Sequence, residues 1–522
     1  MRSLLIYLSF VILILSENQI VSVSVDLSFS KKEPVELEDL CLKRPYHNRV
    51  EPYYFVPILR AKLKEVGDKF SFPSRCFKKN IVYFKEMSKD KITLTLENFN
   101  KTDTWCSELF IFHSSAHNYF QFIAFQGTHD IVLKRITQDD KDEIKVNGIK
   151  LYGFCLGFVN TIKALLKTLQ SFYGGLGKDP KAKNPKFRPT IPRDMEKVNL
   201  RILDLFCHYR PERRNNTIVN FDKSIIKSGD FLVISRIDGL DPMIMLGGGG
   251  RAGHSAVCGW IGDELYVFES QSGWYWPRDG IQKNKWEDWI QWAHTADFNV
   301  ALLPLREEYR EKFDMNKALD WFENEVEGLP YGYHNFIPTW IDTVDKNFPF
   351  FTTAEITEFL FAVISYFYPP GSDLFITDLM NIRLGTTGLT FQQAIAEAAR
   401  QGKSLEQLIA EPEKEGIVYR DGINLVCSCF VVAFWKHGGL FGDIDLSPNE
   451  FSPRDVYQID IFDKNFQKPQ ECIDDNPDLP FCQVMGKFVF ELDETYSSIK
   501  PYDHMNERCS SQGPDFIREE GC

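Results

Sequence analysis

Residues 422–432 read GINLVCSCFVV, and after Ala433 the chain continues as FWKHGG at 434–439. An apolar loop leads to Cys-Ser at 427–428, and an apolar run follows at once. The histidine and the glycines that close this run are typical signals for the end of a helix. We therefore predict a helix that begins close to Cys427, where the helix dipole and the free N–H groups favour a thiolate. The alternative is a disulfide or a buried thiol, because most cysteines of secreted chains serve structure.

A second informative stretch lies upstream, where GHSAVCGWI (253–261) and ELYVFESQ (264–271) flank a Gly-Asp pair. Two apolar runs around such a pair predict a β-hairpin with a two-residue turn. In that register Ile261 pairs with Glu264. Side chains alternate between the two faces of a strand, so the same register brings polar side chains at the far end of the hairpin to one face.

His254 is the candidate partner of Cys427 on that face. The register puts Gln271 directly opposite His254 and Glu269 diagonal to it. Either side chain can hold one tautomer of the imidazole and support its protonated form. A shift of one residue in the register would destroy the arrangement. The alternative is that His254 has a purely structural role at the start of a strand.

At these residues the chain resembles a known family. PYGY at 330–333, followed after an insertion by residues 424–431, resembles the Pro-Tyr…Asp-Cys-Ser-Gly-Phe-Val signature of the NlpC-type cell-wall peptidases. The histidine precedes the cysteine here, which is similar to the circularly permuted branch of that family. This branch contains the YiiX-like proteins and the relatives of lecithin:retinol acyltransferase. Position 426 is Val where the cell-wall enzymes usually have Asp, and position 429 is Cys rather than Gly.

The resemblance implies an α+β fold, in which a papain-like, circularly permuted NlpC-type catalytic domain has an antiparallel sheet and a nucleophile helix. It also implies that Cys427 is the nucleophile, His254 the general base and Glu269 the orienting residue, with Tyr331 as a site tyrosine. Just beyond Gln271, the aromatic side chains of Trp274, Tyr275 and Trp276 are candidates for a substrate-binding wall. Alternatively, these aromatic side chains only pack their own loop.

The compartment is indicated by the first residues of the chain. Arg2 precedes an apolar run from Leu4 to Leu15, and small and polar residues follow. This pattern predicts a signal peptide over residues 1–24, with an uncleaved anchor as the alternative. We expect a protein that is secreted or delivered to a lysosomal or vacuolar lumen, with no stable membrane span after signal cleavage.

The remaining chain divides by composition. We predict a β-rich domain at 25–176, a linker at 177–197, the catalytic domain at 198–469 with a helical insertion at about 348–416, and a Cys-rich extension at 470–522. In the first domain residues 91–96, 107–112 and 119–126 are predicted as strands, and residues 151–170 as a helix.

Twelve cysteines fit an oxidising compartment. We expect local disulfides between Cys472 and Cys482 and between Cys509 and Cys522, because short loops in a turn-rich tail close at low entropic cost. If Cys427 is kept as a thiol, an odd number of cysteines remains, and Cys258 or Cys429 is the best candidate for a further thiol. Asn100 and Asn215 lie in glycosylation sequons.

Charge and ligand spacing limit the possible functions. The net charge of −13 argues against a nucleic-acid binder. No metal or cofactor is predicted, because His113, His117 and His129 lack the spacing of metal ligands. We predict a cysteine hydrolase that acts on a peptide or amide bond. An acyltransferase or thioesterase on acyl-lipid and a catalytically silent binding protein of the same fold are the alternatives.

Overall fold

The computed structural model describes residues 57–506, except 114–117, 155, 162, 164–189, 207–208, 216, 249, 274, 336–364, 366–368, 404, 410, 412 and 493–494. The predicted signal peptide, Trp274, Cys509 and Cys522 therefore lie outside the described residues. The chain forms two compact units. The described residues up to 163 belong to one unit, and those from 190 onward belong to the other.

The first unit contains two antiparallel four-stranded sheets, with the strand orders β1-β8-β5-β6 and β2-β3-β4-β7. Its core is formed by alternating apolar residues of both sheets, among them Val82, Leu94 and Phe110. The elements are β1 Pro57–Leu63, β2 Lys69–Phe72, β3 Phe77–Met87, β4 Lys91–Lys101, β5 Glu108–His113, β6 Asn118–Ile123, β7 Gly127–Lys134, α1 Gln138–Asn147 and β8 Ile149–Phe154.

One element of this unit corrects the sequence analysis. Residues 151–154 belong to β8 and not to the start of a helix, and helical residues begin only at 158. Strand β8 lies between β1 and β5, and five of its six residues are buried. A strand that is buried on both faces shows no alternation of polar and apolar residues, so its apolar run cannot be told from a buried helix.

The second unit is mixed. Its strands are β9 Phe231–Arg236, β10 His254–Ile261, β11 Glu264–Gln271, β12 Gly280–Lys285, β13 Phe298–Leu303, β14 Val418–Tyr419, β15 Gly422–Ile423 and β16 Cys482–Met485. Its α-helices are α2 Arg193–Phe206, α3 Asp241–Gly248, α4 Trp286–Thr295, α5 Glu307–Arg310, α6 Met315–Trp321, α7 Pro369–Ser372, α8 Asp378–Arg383, α9 Phe391–Arg400, α10 Leu405–Ile409, α11 Cys427–His437, α12 Pro453–Gln458 and α13 Gln470–Asp475. Together with the sheets of the first unit, these elements confirm the α+β class.

The centre of the second unit is an antiparallel six-stranded sheet with the order β12-β11-β10-β9-β13-β16. Strand β16 lies within the region that the sequence analysis assigned to a C-terminal extension. It pairs with β13 and is fully buried, so this part of the tail completes the sheet. Helix α2 likewise begins at Arg193, inside the stretch that was predicted as a linker.

The β10–β11 hairpin forms in the predicted register. Ile261 pairs with Glu264, and the ladder continues to Val257 and Phe268. Gly262 has φ +58°, a conformation that suits the first central position of a two-residue hairpin turn. This register puts the polar end of the hairpin beside β9 and β12.

Helix α11 packs against the sheet through aromatic side chains. The Phe434 and Phe268 rings lie 5.0 Å apart, and Nε1 of Trp435 donates a hydrogen bond to the carbonyl of Gly229 at 2.9 Å. The helix ends where the sequence signals predict, with Lys436 and His437 in the last turn and Gly438 as the C-cap. Within the part of the chain that the structure describes, no helix is long and apolar enough to cross a membrane.

The predicted insertion at 348–416 is described from residue 369 onward, apart from Ser365, and it contains α7 to α10. Helix α9 is capped at its start by Thr390, whose side chain accepts a hydrogen bond from the backbone of Gln393. Most of the described residues of the insertion are helical, and turns that contain Gly385, Gly388 and Gly402 separate the helices.

Candidate active site

Cys427 is the first residue of helix α11, as the sequence predicts. The N-cap is Val426, whose side chain makes no capping hydrogen bond. The loop before it is fixed to the sheet, because Oγ of Ser270 donates to the carbonyl of Leu425 at 2.7 Å. A Cβ on Gly332 would lie 2.4 Å from the backbone nitrogen of Leu425, so only glycine allows the PYGY segment to approach this loop.

His254 is the first residue of β10 and is only 4% exposed. Its Nε2 lies 3.0 Å from Oε2 of Glu269 on the neighbouring strand. The imidazole also forms a hydrogen bond with the Cys427 side chain, which is 3% exposed. Because Nε2 is occupied by Glu269, Nδ1 is the nitrogen that is available to the thiol. The structure thus brings Cys427, His254 and Glu269 into one chain of contacts.

The electrostatics of His254 follow from these neighbours. Burial by itself lowers the pKa of the imidazole, but the charge and hydrogen bond of Cys427, together with those of Glu269, outweigh it and raise the pKa to about 10. An imidazole with this pKa carries its proton at neutral pH, where an ordinary histidine is mostly neutral. The arrangement therefore places a protonated imidazole against the Cys427 sulfur.

Glu269 is held by two residues that the sequence analysis did not identify. Its Oε1 accepts hydrogen bonds from Nε1 of Trp289 at 3.0 Å and from Nδ2 of Asn284 at 3.4 Å. Oε2 is left for His254. The signal that could have identified Asn284 is the third strand of the sheet, because β12 continues the hairpin and faces Glu269.

Gln271 is not the residue that holds His254. It lies at the end of β11, and its side chain lies near the Tyr275 hydroxyl. Its Nε2 is buried and has no hydrogen-bond partner among the described residues. A buried amide donor without a partner is unusual, so this atom is a candidate contact for a substrate oxygen.

Tyr331 lies close to Cys427, as the resemblance implies. Burial raises the pKa of Tyr331 well above its usual value, and the charge of Cys427 raises it further. Its hydroxyl therefore stays protonated and can donate a hydrogen bond. Its ring contacts that of Tyr333, with centroids 4.9 Å apart.

The aromatic loop after Gln271 does not form the predicted substrate wall at Tyr275 and Trp276. Both side chains are buried in the core of the second unit. Trp276 stacks on Phe298 with ring centroids 5.2 Å apart, and the guanidinium of Arg236 lies 3.9 Å from the centre of the Tyr275 ring. The alternative, that these rings pack the fold, is therefore correct for both. Trp274 lies outside the described residues.

Asp241 is a second carboxyl group near His254 that the sequence did not single out. It is buried, and its Oδ2 accepts a hydrogen bond from the backbone nitrogen of Arg236 at 2.6 Å. Burial, together with the charge of Asp238, raises its pKa, whereas the charge of His254 lowers it. A Cβ on Gly253 would lie 2.3 Å from Cγ of Asp241, so glycine before His254 permits this approach.

The cysteines within the described residues divide into two groups. Cys472 forms the predicted disulfide with Cys482, and Cys76 pairs with Cys106. Cys258, Cys427 and Cys429 carry buried thiols. Sγ of Cys429 is contacted by Nδ2 of Asn335 at 3.6 Å and is not part of the His254 pair. Both sequon asparagines, Asn100 and Asn215, are exposed.

The described residues contain no group of three or more His, Cys, Asp or Glu side chains arranged to hold a metal ion. Comparison of the chain with protein-family models gave no match. Searches of curated proteins and of solved structures gave no match either. The resemblance to the permuted NlpC-type enzymes therefore rests on the sequence motifs alone.

Proposed function

We propose that this protein is a cysteine hydrolase that cleaves an amide or peptide bond through an acyl-enzyme. The observation that carries the proposal is the contact chain from Cys427 through His254 to Glu269, with the cysteine at the start of α11. A thiol at a helix N-terminus that is paired with a histidine is a typical arrangement for nucleophilic catalysis.

In the proposed reaction the Cys427 thiolate attacks the carbonyl carbon of the substrate and forms a tetrahedral intermediate. His254 then donates its proton to the leaving amine, and the C–N bond breaks to give a thioester on Cys427 and a free amine. A water molecule attacks the thioester while His254 accepts its proton. Release of the acid regenerates the ion pair.

The oxyanion of the intermediate needs hydrogen-bond donors. The first backbone N–H groups of α11 are candidates, because Val426 offers no capping side chain. The protonated Tyr331 hydroxyl and the buried Nε2 of Gln271 are two further candidate donors near the pair. Glu269 has a positioning role in this proposal, because it contacts His254 and not the reacting atoms.

The substrate class is inferred from the resemblance to the YiiX-like branch, which favours an amide or peptide bond. An acyltransferase or thioesterase that acts on acyl-lipid would use the same Cys427 thioester and differ only in the acceptor. The contacts from Cys427 through His254 to Glu269 favour an enzyme over a catalytically silent protein of the same fold.

The proposal is tested with a small thiol-reactive probe such as iodoacetamide, because Cys427 and His254 are largely buried. Mass spectrometry of the labelled protein at neutral pH and low probe concentration should find the adduct on Cys427 first. A panel of peptide amides, thioesters and acyl-lipids then separates the hydrolase from the acyltransferase. Rapid labelling elsewhere with an unmodified Cys427 would contradict the proposal.

A further inference from the structure

The first unit exposes an aromatic surface that the proposed chemistry does not use. We define it by five side chains that are at least half exposed: Trp105, Phe120, Phe122, Phe125 and Val159. Trp105 is 91% exposed and Phe125 is 77% exposed. Single exposed apolar residues are ordinary, but a contiguous group of large ones marks an interaction site.

Hydrogen bonds and a ring contact join the segments that carry these residues. Nζ of Lys101 donates hydrogen bonds to the carbonyls of Thr104 and Ala124, which precede Trp105 and Phe125. The rings of Phe122 and Phe158 lie 5.2 Å apart, and Val159 follows Phe158. Because Phe120 and Phe122 alternate on edge strand β6, they project from the same face.

The local framework holds this surface in place. The Cys76–Cys106 disulfide lies directly after Trp105, and the backbone nitrogen of Phe158 donates to the carbonyl of Ser107 at 2.7 Å. Oδ1 of Asp103 accepts a hydrogen bond from the backbone nitrogen of Trp105 at 3.0 Å. The aromatic side chains are therefore carried by a loop and a strand that the disulfide and these hydrogen bonds hold in place.

Three basic residues lie beside the aromatic surface, together with the exposed Asp103. Arg75 is exposed, and its carbonyl accepts a hydrogen bond from Oγ1 of Thr102 at 2.8 Å, which joins it to the Trp105 loop. Lys163 is exposed and lies four residues after Val159 on the same helical segment. The Nζ of Lys101 is 5.5 Å from the centre of the Phe125 ring.

We propose that this aromatic surface docks the protein on a lipid bilayer that contains anionic headgroups. Aromatic rings prefer the boundary between headgroups and acyl chains, and basic side chains beside them add attraction to anionic lipids. The most exposed rings have basic side chains beside them, which suits insertion of the rings into the headgroup region of an anionic bilayer. Membrane attachment would be peripheral and reversible.

The experiment is co-sedimentation of the full-length protein with sucrose-loaded vesicles of phosphatidylcholine alone or with about 30% phosphatidylserine. N-linked glycans are removed first, because the sequon at Asn100 borders the aromatic surface. The test variant is Trp105→Ser with Phe125→Ser. Its matched control is Val418→Ser with Ile473→Ser, which replaces two exposed apolar residues of the other unit.

We expect the wild-type protein and the control to bind phosphatidylserine vesicles, and the test variant to lose binding by about tenfold or more. Arg75→Gln with Lys163→Gln should weaken binding to the anionic vesicles, and added salt should act in the same direction. Equal sedimentation of test and control variants, or no binding of the wild type to either vesicle, would overturn the proposal. A dimer that the test variant dissociates would assign the surface to self-association instead.

This docking is separate from catalysis. Cys427→Ser should bind vesicles as the wild type does, so a failure of the proposed hydrolase activity leaves the vesicle result intact. Both double variants should retain the thermal unfolding profile of the wild type, because all four side chains are exposed.

Discussion

Nε2 of His254 lies 3.0 Å from Oε2 of Glu269, and the two residues belong to neighbouring strands of one hairpin. The other oxygen of Glu269 is occupied by Trp289 and Asn284. These two donors hold the carboxylate in position, and Oε2 is the oxygen that contacts the imidazole. A histidine that is held in this way keeps one orientation, which leaves its second nitrogen directed to Cys427.

Replacement of Cys427 should remove the reactive thiol, whereas replacement of its neighbour should not. Cys427→Ser should abolish labelling by a low concentration of iodoacetamide, and Cys429→Ser should retain labelling within about threefold of the wild type. The physical reason is that only Cys427 is paired with His254, while Cys429 contacts Asn335 and Phe451. Labelling that survives Cys427→Ser would remove this cysteine from the mechanism.

In the proposed mechanism Cys427 is a thiolate paired with the protonated His254, so its labelling should depend little on pH between 6 and 8. His254 has a folded pKa of about 10, above its ordinary value, because of the charges of Cys427 and Glu269, which outweigh the effect of burial. It therefore keeps its proton throughout this range, and the cation beside the thiolate is lost only as the pH rises through about 10. In His254→Ala an unpaired thiol should lose roughly 50- to 100-fold in labelling rate from pH 8 to pH 6. Parallel profiles for both proteins would contradict the ion pair.

His254→Ala should also lower the catalytic rate, by roughly 10²- to 10⁴-fold. Glu269→Gln should cost less, about tenfold in kcat, and should shift the pH profile because the carboxylate charge that supports the imidazolium is gone. Trp289→Phe removes one donor to Glu269 but keeps the carboxylate charge, so it should shift the pH profile less than Glu269→Gln does. Gln271→Ala removes a candidate oxyanion donor, so it should lower kcat without a shift of the pH profile. If Gln271→Ala shifts the pH profile and Glu269→Gln does not, Gln271 and not Glu269 is the residue that positions His254.

The first unit should become less stable as the pH rises from about 4.5 to 7. Glu108 is buried, and burial raises its pKa to about 7, although the backbone nitrogen of Cys76 donates to its Oε1 at 2.8 Å. The folded state then binds more protons than the unfolded state in this window, so stability is lost through it. The loss is on the order of 2 to 3 kcal/mol. Glu108→Gln should flatten the dependence, and the exposed Glu65→Gln should not.

Hydrogen exchange of strands β3 and β4 measures this change in the full-length protein, because it reports opening of the first unit alone. Unchanged pH dependence in Glu108→Gln would show that another group is responsible.

Local signals in the sequence were sufficient for the elements that carry the site. The glycine-containing turn and the alternation of β10 and β11 determined their register, and the stop signals around Gly438 determined where helix α11 ends. The Cys472–Cys482 disulfide was predictable for the same reason, because its two residues are near each other in the chain. These features depend on residues that are close together in the chain, so the sequence alone predicts them.

Only the tertiary structure decided which polar side chain holds His254. The register brought both Glu269 and Gln271 within reach, but Trp289 and Asn284 come from other elements and fix the carboxylate. Packing also decided that Tyr275 and Trp276 lie in the core, and that β16 completes the sheet. Whether a side chain is buried, and which groups it forms hydrogen bonds with, depends on the elements that pack against its segment. The residue types along one strand show which side chains could make a contact. The elements that pack around the strand determine which of them makes it.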